Sequence, residues 1–433
     1  MNFNEAINYL QNLTKFGINL GLGRIEELLR RLDNPHQKLK VIHIGGTNGK
    51  GSTTAMVSSI LQAAGYKVGT FTSPHLHSYT ERYRINREEV APDRIAGLIS
   101  RFKPILEEMV AAGFEHPTEF EVSTALAFQY FHEEQVDLLV LEVGLGGSID
   151  STNVVTPLVS IITNVAMDHM DYLGDTIEEI ATVKAGIIKP GIPVVTATEK
   201  PEVLEIIAQT AAQKDSRLVV VGRDVTWQDK GGTLDGQVLD VHGLNAHYQQ
   251  LAVPLLGQHQ LINAATAVAG VELLVQQGYK IDEMAIIQGL GKTMWPARLE
   301  IMQRRPMVVI DGAHNLDGAR KLAQALRETF QYRELILVFG MLGDKEREKV
   351  VAQLAPLAKR VVITKPNSPR AGDWQQIKQE VDKYVGEVYL IEDIRLAVEK
   401  GLALAGEEDL VCITGSLYMV AEAREYWVKE VHK

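Results

Sequence analysis

A chain of 433 residues is too long for one hydrophobic core, so two or three domains are expected. Its 45% hydrophobic and 23% charged residues are ordinary for a globular protein, and no apolar run is long enough to span a bilayer. The formal net charge of −11 argues against a general nucleic-acid binder, which needs a basic face, and the single cysteine, Cys412, excludes an intrachain disulfide framework.

The N-terminal "MNFNEAINYLQNL" is polar and amphipathic, without the basic start and apolar stretch of a signal peptide. A cytoplasmic enzyme is the expectation. Strand candidates follow at 40–45, 67–72, 136–143, 157–164 and 192–198, with amphipathic helical segments between most of them. Continuous apolar strands separated by helices predict a mostly parallel sheet covered on both faces. From about 223 to 256, glycine turn signals and short alternating runs predict a small antiparallel insertion, and a helical stretch runs from 258 to about 290. After Pro296, "MVVIDGAHN", "LILVFG", "RVVITK", "EVYLIED" and "LVCITG" alternate with helical segments. They predict a second, Rossmann-like α/β domain over 297–433, following a phosphate-loop domain over 1–296. Cys412 lies in an apolar run and reads as a buried, inert thiol.

Residues 43–54, "HIGGTNGKGSTT", sit between an apolar strand and a helical segment. Strand, glycine-rich turn and helix N-terminus form an anion site, with Lys50 placed for β/γ-phosphate oxygens. Thr47, Asn48, Gly49, Lys50, Gly51 and Ser52 are therefore the expected nucleotide-binding stretch. The usual loop places Ser or Thr directly after the lysine, for magnesium. Here Gly51 occupies that place, so the metal's hydroxyl must come from elsewhere. Ser73, after the next strand, could reach the ion, although Ser73-Pro74 also reads as a plain turn. Glu142 ends the strand "VDLLVLEV" and can hold magnesium directly or through water. His169 follows another strand and is a soft candidate ligand. Lys184 lies in an apolar helical stretch, where a snorkelling lysine is the alternative reading. Downstream, Arg298, Asp311, His314, Lys345 and Arg370 could line a cleft or could be surface polar residues.

Taken in order, "GLGRIEELLRRL", "GTNGKGS", "FTSPHLHSYTER", "TEFEVSTALAF", "LEVGLGGSIDSTNVV", "DHMDYLGDTIEEIA", "KAGIIKPG", "GQHQLINAATA", "RLE", "DGAHN" and "ITGSLY" resemble the folylpolyglutamate synthase and dihydrofolate synthase family, within the Mur ligase superfamily. The resemblance implies an ATP-dependent amide ligase: a folate or dihydropteroate carboxylate is phosphorylated, and L-glutamate displaces the phosphate. It also implies that Ser73, Glu142 and His169 are metal ligands and that Asn263, Arg298 and Asp311 contact ATP. Leu22, Gly23, Arg24, Thr118, Glu119, Phe120, Glu121, Ile149, Asp150 and Ser151 match the pterin-substrate regions, and Lys184 matches a lysine that becomes carbamylated. On this reading Gly51 lets the backbone turn closely, while the hydroxyl moves to Ser73. We take Lys50, Lys184 and His314 as candidate catalytic groups, and Lys345 and Arg370 as candidates for the glutamate carboxylates. ATP and two magnesium ions are the expected cofactors, with a monovalent cation a further candidate. A monomer without nucleic-acid or membrane partners is expected.

Three positions depart from the family pattern: Ser148 where Arg is common, Val183 where Glu often precedes the lysine, and Ala297 where Gly is usual. A peptidoglycan-precursor ligase of the same superfamily is the nearest rival, but only about forty residues precede the phosphate loop, few for the extra domain of those proteins. A phosphate-loop ATPase or kinase without ligase activity, and a non-catalytic nucleotide-binding module, are the alternatives from other classes.

Overall fold

The computed structural model describes residues 1–17 and 19–428. Eight strands build the first sheet: β1 (Val41–Gly45), β2 (Val68–Phe71), β3 (Tyr83–Ile85), β4 (Glu88–Glu89), β5 (Leu138–Glu142), β6 (Val159–Ile162), β7 (Val194–Thr196) and β8 (Leu218–Val220). Their order is β4-β3-β2-β5-β1-β6-β7-β8. The six from β2 to β8 run parallel, and β1, β5 and β6 are buried along their whole length. Their continuous Val, Ile and Leu runs follow from that two-sided burial. The antiparallel edge of β3 and β4 is absent from the expected strands. Its turn is Asn86-Arg87, both at positive φ (49° and 74°). This is hairpin-turn backbone without the Asn-Gly pair that usually announces it.

In the register, Ile44 faces Glu142 and Gly45 faces Ile162, so β1, β5 and β6 end side by side. The phosphate loop leaves β1 at this point, where chain connections depart to both sides of the sheet. A ligand crevice forms at such a switch point. Two apolar clusters hold the surrounding helices. One joins Phe71, Tyr83, Phe102, Phe128 and Phe131; the other joins Val143, Ile162, Ile180 and Ile187.

The insertion is a three-stranded sheet of β9 (Thr226–Thr233), β10 (Gly236–His242) and β11 (His247–Val253), with β10 in the middle. Its tight turns at 234–235 and 243–246 suit antiparallel neighbours. The helical stretch that follows is two helices, Gln258–Gln276 and Glu283–Gly291. Gly278, at φ 92°, ends the first, and the Asp282 carboxylate caps the second by accepting from Ala285 N.

The third sheet contains β12 (Glu300–Arg304), β13 (Met307–Asp311), β14 (Leu335–Phe339), β15 (Arg360–Ile363), β16 (Val388–Leu390) and β17 (Leu410–Thr414), ordered β12-β13-β17-β14-β15-β16. Only β12 is antiparallel to its neighbour. Cys412 is fully buried in β17, and burial pushes its thiol pKa up. The chain divides into two compact units. The first comprises Met1–Lys230, Leu239–Ala252 and Ile262–Thr293, and the second Gly231–Val238, Val253–Leu261 and the chain from Met294 onward. No helix among the described residues is long and apolar enough to cross a membrane.

Candidate active site

The phosphate loop is tied to the end of β6. Thr47 N donates to Asn164 O (2.8 Å) and Asn48 N to Asn164 Oδ1 (2.7 Å). Thr163 Oγ1 donates to Asn48 O at 2.7 Å, and the Thr47 hydroxyl bridges to Ala166. The amides of Thr47 and Asn48 are thus engaged within the protein, and these residues shape the loop. The helix Lys50–Ala63 begins with the bond from Thr53 N to Gly49 O, so the amides ahead of it, in its first turn, are the ones available to an anion. Gly51 lies inside that helical turn. The close backbone turn assigned to it belongs instead to Gly46 and Gly49, at φ 134° and 84°. A Cβ on Gly46 would lie 2.0 Å from Thr163 Oγ1, and one on Gly49 would lie 2.6 Å from Asn263 Oδ1. Only glycine fits at either place. Asn263 therefore sits against the loop.

β5 delivers the Glu142 carboxylate, 4% exposed, to the same edge, where its Oε2 accepts from Ser73 N at 3.2 Å. The segment after Ser73 is shaped by Glu81, whose carboxylate accepts from the amides of Leu76, His77 and Ser78. The backbone of Ser73 thus meets the Glu142 carboxylate at this edge. Among the described residues no group of three His, Cys, Asp or Glu side chains could hold a metal ion. An ion at Ser73 and Glu142 would complete its shell with phosphate oxygens and water, as magnesium commonly does.

Lys184 does not snorkel. It is 4% exposed, and its Nζ donates to Gly46 O at 2.9 Å. Lys50 Nζ donates to the same oxygen at 3.1 Å and to Thr47 O at 3.0 Å. Burial, reinforced by the Lys50 charge, lowers the Lys184 pKa to about 7, against opposing pulls from Asp168 and Asp150. The amine is then substantially neutral near physiological pH. His169 takes a left-handed backbone (φ 51°), and its Nε2 lies 3.9 Å from Asp168 Oδ2. Asp168 thus faces both His169 and Lys184.

Among the proposed pterin residues, Arg24 and the 118–121 segment meet from distant parts of the chain. Arg24 Nε donates to Glu121 Oε2 at 3.2 Å, and the same oxygen accepts from Thr118 N and Oγ1. Glu119 pairs with Arg82 at 3.1 Å, and the Phe120 ring lies 6.2 Å from that of Phe71. Leu22 and Gly23 begin the helix that carries Arg24. Ile149 and Ser151 flank Asp150, which is buried. The Asp150 carboxylate accepts from Leu145 N and from Thr152 N and Oγ1, so it braces its own loop.

In the second unit, Asp311 accepts from Leu299 N and Ala313 N, both at 2.9 Å. Burial pushes its carboxyl pKa up, against the nearby Arg298 charge. His314 Nδ1 lies 2.8 Å from Gly312 O, a carbonyl that can only accept, so this nitrogen donates. Arg370 pairs with Asp344, next to Lys345. Arg347 joins the two loops that carry them. It donates to Met341 O and Leu342 O in one loop and to Ala371 O and Asp373 O in the other. Sequence reasoning passed over Asn164, Asp168, Glu81 and Arg347. Only Asn164 carried a visible signal, as a polar residue closing the apolar strand of "SIITN".

Residues 44–271 match the Mur ligase middle domain, and residues 297–417 match the Mur ligase glutamate ligase domain. The dihydrofolate synthase/folylpolyglutamate synthase of Bacillus subtilis is 36% identical over 425 residues, covering 98% of each chain. The folylpolyglutamate synthase of Lacticaseibacillus casei is 35% identical, again over 98% of each. Mycobacterium tuberculosis folylpolyglutamate synthase complexed with ADP superposes with a TM-score of 0.92 at 32% identity, over 98% of this chain and 99% of that one. E. coli FolC in complex with DHPP and ADP superposes at 0.88 and 31% identity, over 98% and 97%. Both domains match in order and these relatives align end to end, so the chain belongs to the Mur ligase family, within its folylpolyglutamate synthase and dihydrofolate synthase branch.

Proposed function

We propose that this chain is an ATP-dependent ligase that joins L-glutamate to a folate, with dihydropteroate as a second acceptor. The observation that carries the reading is the pairing of Ser73 with Glu142 at the sheet edge where a glycine-containing loop lacks its own metal hydroxyl. The first-turn amides of the helix Lys50–Ala63 and the Lys50 ammonium receive the triphosphate, with Asn263, Arg298 and Asp311 assigned to the nucleotide. Ser73 and Glu142 would hold magnesium, which when bound neutralises phosphate charge and aligns the in-line transfer. Lys184, as a carbamate, would hold a second ion with His169. Arg24, the Thr118–Glu121 segment and the loop around Ile149–Ser151 are assigned to the pterin acceptor. They place its carboxylate for attack on the γ-phosphorus, which releases ADP. The glutamate amine then attacks the acyl phosphate, the carbon–oxygen bond breaks, and phosphate leaves with an amide in its place. Lys345 and Arg370 are assigned to the glutamate carboxylates, and His314 is a candidate to take the amine proton.

The test is ADP release with magnesium, measured with and without L-glutamate, and with dihydropteroate or tetrahydrofolate as acceptor. Release that needs both glutamate and acceptor supports the ligase. Equal turnover without either substrate would replace it with a simple ATPase.

A further inference from the structure

Below the loop that follows Glu142 lies a buried polar chain whose members His43 and Thr152 have no role in the ligation scheme. His43 sits at the centre of β1 and is fully buried. Its Nε2 lies 2.9 Å from Thr152 Oγ1, and Thr152 Oγ1 in turn reaches Asp150 Oδ1. Thr152 and Asp150 are also buried. The Asp150 carboxylate gathers the amides of Gly144, Leu145 and Thr152. These residues lie in the segment that runs from the end of β5 to the proposed pterin residues.

The protons can be placed from these contacts. Both Asp150 oxygens accept from backbone amides, so the carboxylate is an acceptor and Thr152 must donate its one hydroxyl proton to it. The Thr152 oxygen is then free only to accept, and the donor is His43 Nε2–H. The ring is therefore the tautomer with a bare Nδ1, and that nitrogen is buried without a partner. Burial, helped by the Lys189 charge, pushes the His43 pKa down to about 3, so the ring is neutral under all working conditions. An unpartnered buried nitrogen is a cost that leucine or phenylalanine would avoid at the same place. A role in packing alone gives no reason for histidine.

We infer that His43 is a positioning residue for the ligase: its Nε2–H aims the Thr152 hydroxyl at Asp150, and Asp150 holds the loop between Glu142 and Ser151 in its working shape. Remove the donor, and the Thr152 hydroxyl can rotate toward other acceptors. Asp150 then loses one of its donors, and the loop loosens above the phosphate site. The inference rests on the ligase reading. Glutamate- and acceptor-dependent ADP release by the unmodified protein, run as the control, tests that reading separately.

Four single variants and one double variant test the inference. His43→Leu should unfold at a temperature no lower than the parent protein, since it removes the orphaned nitrogen. Its kcat should fall by about tenfold to a hundredfold, with the ATP KM within about twofold. His43→Gln restores an N–H donor and should recover most of the lost kcat. Thr152→Val removes the hydroxyl with little change of shape and should fall as far as His43→Leu, while Thr152→Ser should not fall with it. The double variant His43→Leu/Thr152→Val should lose no more than either single change, because both break one chain. Nitrogen-15 NMR of the His43 ring should give a protonated Nε2 and a bare Nδ1. Parental kcat in His43→Leu, additive losses in the double variant, or a proton on Nδ1 would each overturn the inference. If His43→Leu does not fold, the Thr152→Val and Thr152→Ser pair decides: equal kcat in the two overturns it.

Discussion

Replacing Lys184 with methionine should abolish ADP release and yet make the protein more stable at neutral pH. Lys184 is 4% exposed, and its pKa falls from 10.5 to about 7 on folding. At 1.36 kcal/mol per tenfold, that is a cost to folding of about 5 kcal/mol. The sign follows from proton counts. Below pH 7 both states hold the proton and the cost is complete. Between pH 7 and 10.5 the unfolded chain holds more protons than the folded one, so the parent gains stability as pH rises. Above 10.5 the cost is gone. Methionine has similar length and no charge, so it avoids this cost and loses only the hydrogen bond to Gly46 O, which Lys50 still occupies. After about 1.5–3 kcal/mol for that charged hydrogen bond, Lys184→Met should be more stable by about 2–3 kcal/mol at pH 7. The advantage should shrink by about 2.3 kcal/mol between pH 7 and pH 9. The assay is urea unfolding of both proteins at the two pH values in bicarbonate-free buffer. Adding bicarbonate should stabilise only the parent if Lys184 takes up carbon dioxide. A difference that does not change with pH, or a methionine variant less stable at pH 7, would refute the electrostatic argument.

Three further outcomes are expected. Ser73→Ala should raise the magnesium concentration needed for half-maximal ADP release while the fold is kept; parental behaviour at limiting magnesium would remove Ser73 from the metal site. Arg347→Met leaves four backbone carbonyls of two loops without their donor, so it should cost about 2–3 kcal/mol of stability and raise the glutamate KM more than the ATP KM. Arg347→Lys should not restore either quantity, because one ammonium cannot span the fork of a guanidinium. Ala297 holds φ 57° and is fully buried, so Ala297→Gly should leave stability within about 1 kcal/mol, whereas the β-branched Ala297→Val should lose more than about 2 kcal/mol, both read by thermal unfolding.

Ala297 also illustrates how much was legible beforehand. The resemblance marks residue 297 as a place where Gly is usual, and the structure gives the reason: two left-handed residues, Ala297 and Leu299, bracket Arg298. The parallel strands were readable because burial on both faces leaves a continuous apolar run. The β3–β4 edge was not, because its strands are short and charged and its turn lacks glycine. The role of Gly51 was misread because a sequence cannot say which glycine of a cluster takes the positive φ. That depends on what lies opposite, here Thr163 and Asn263.

The sequence by itself determined most of the elements, the phosphate loop with its missing hydroxyl, and the order of motifs that places the chain in its family. These signals are local: periodicity, turn chemistry and spacing act within a few residues of one another. The tertiary structure alone decided which of those residues meet. Arg24 finds Glu121, Ser73 finds Glu142, and His43 finds Thr152 across separations of 97, 69 and 109 residues. Lys184 is lowered to a pKa of about 7 by its burial and by the charge of Lys50, 134 residues before it, while its Nζ reaches Gly46 O, 138 residues before it. The order of strands in the sheet sets these meetings, and that order is a property of the packed core as a whole.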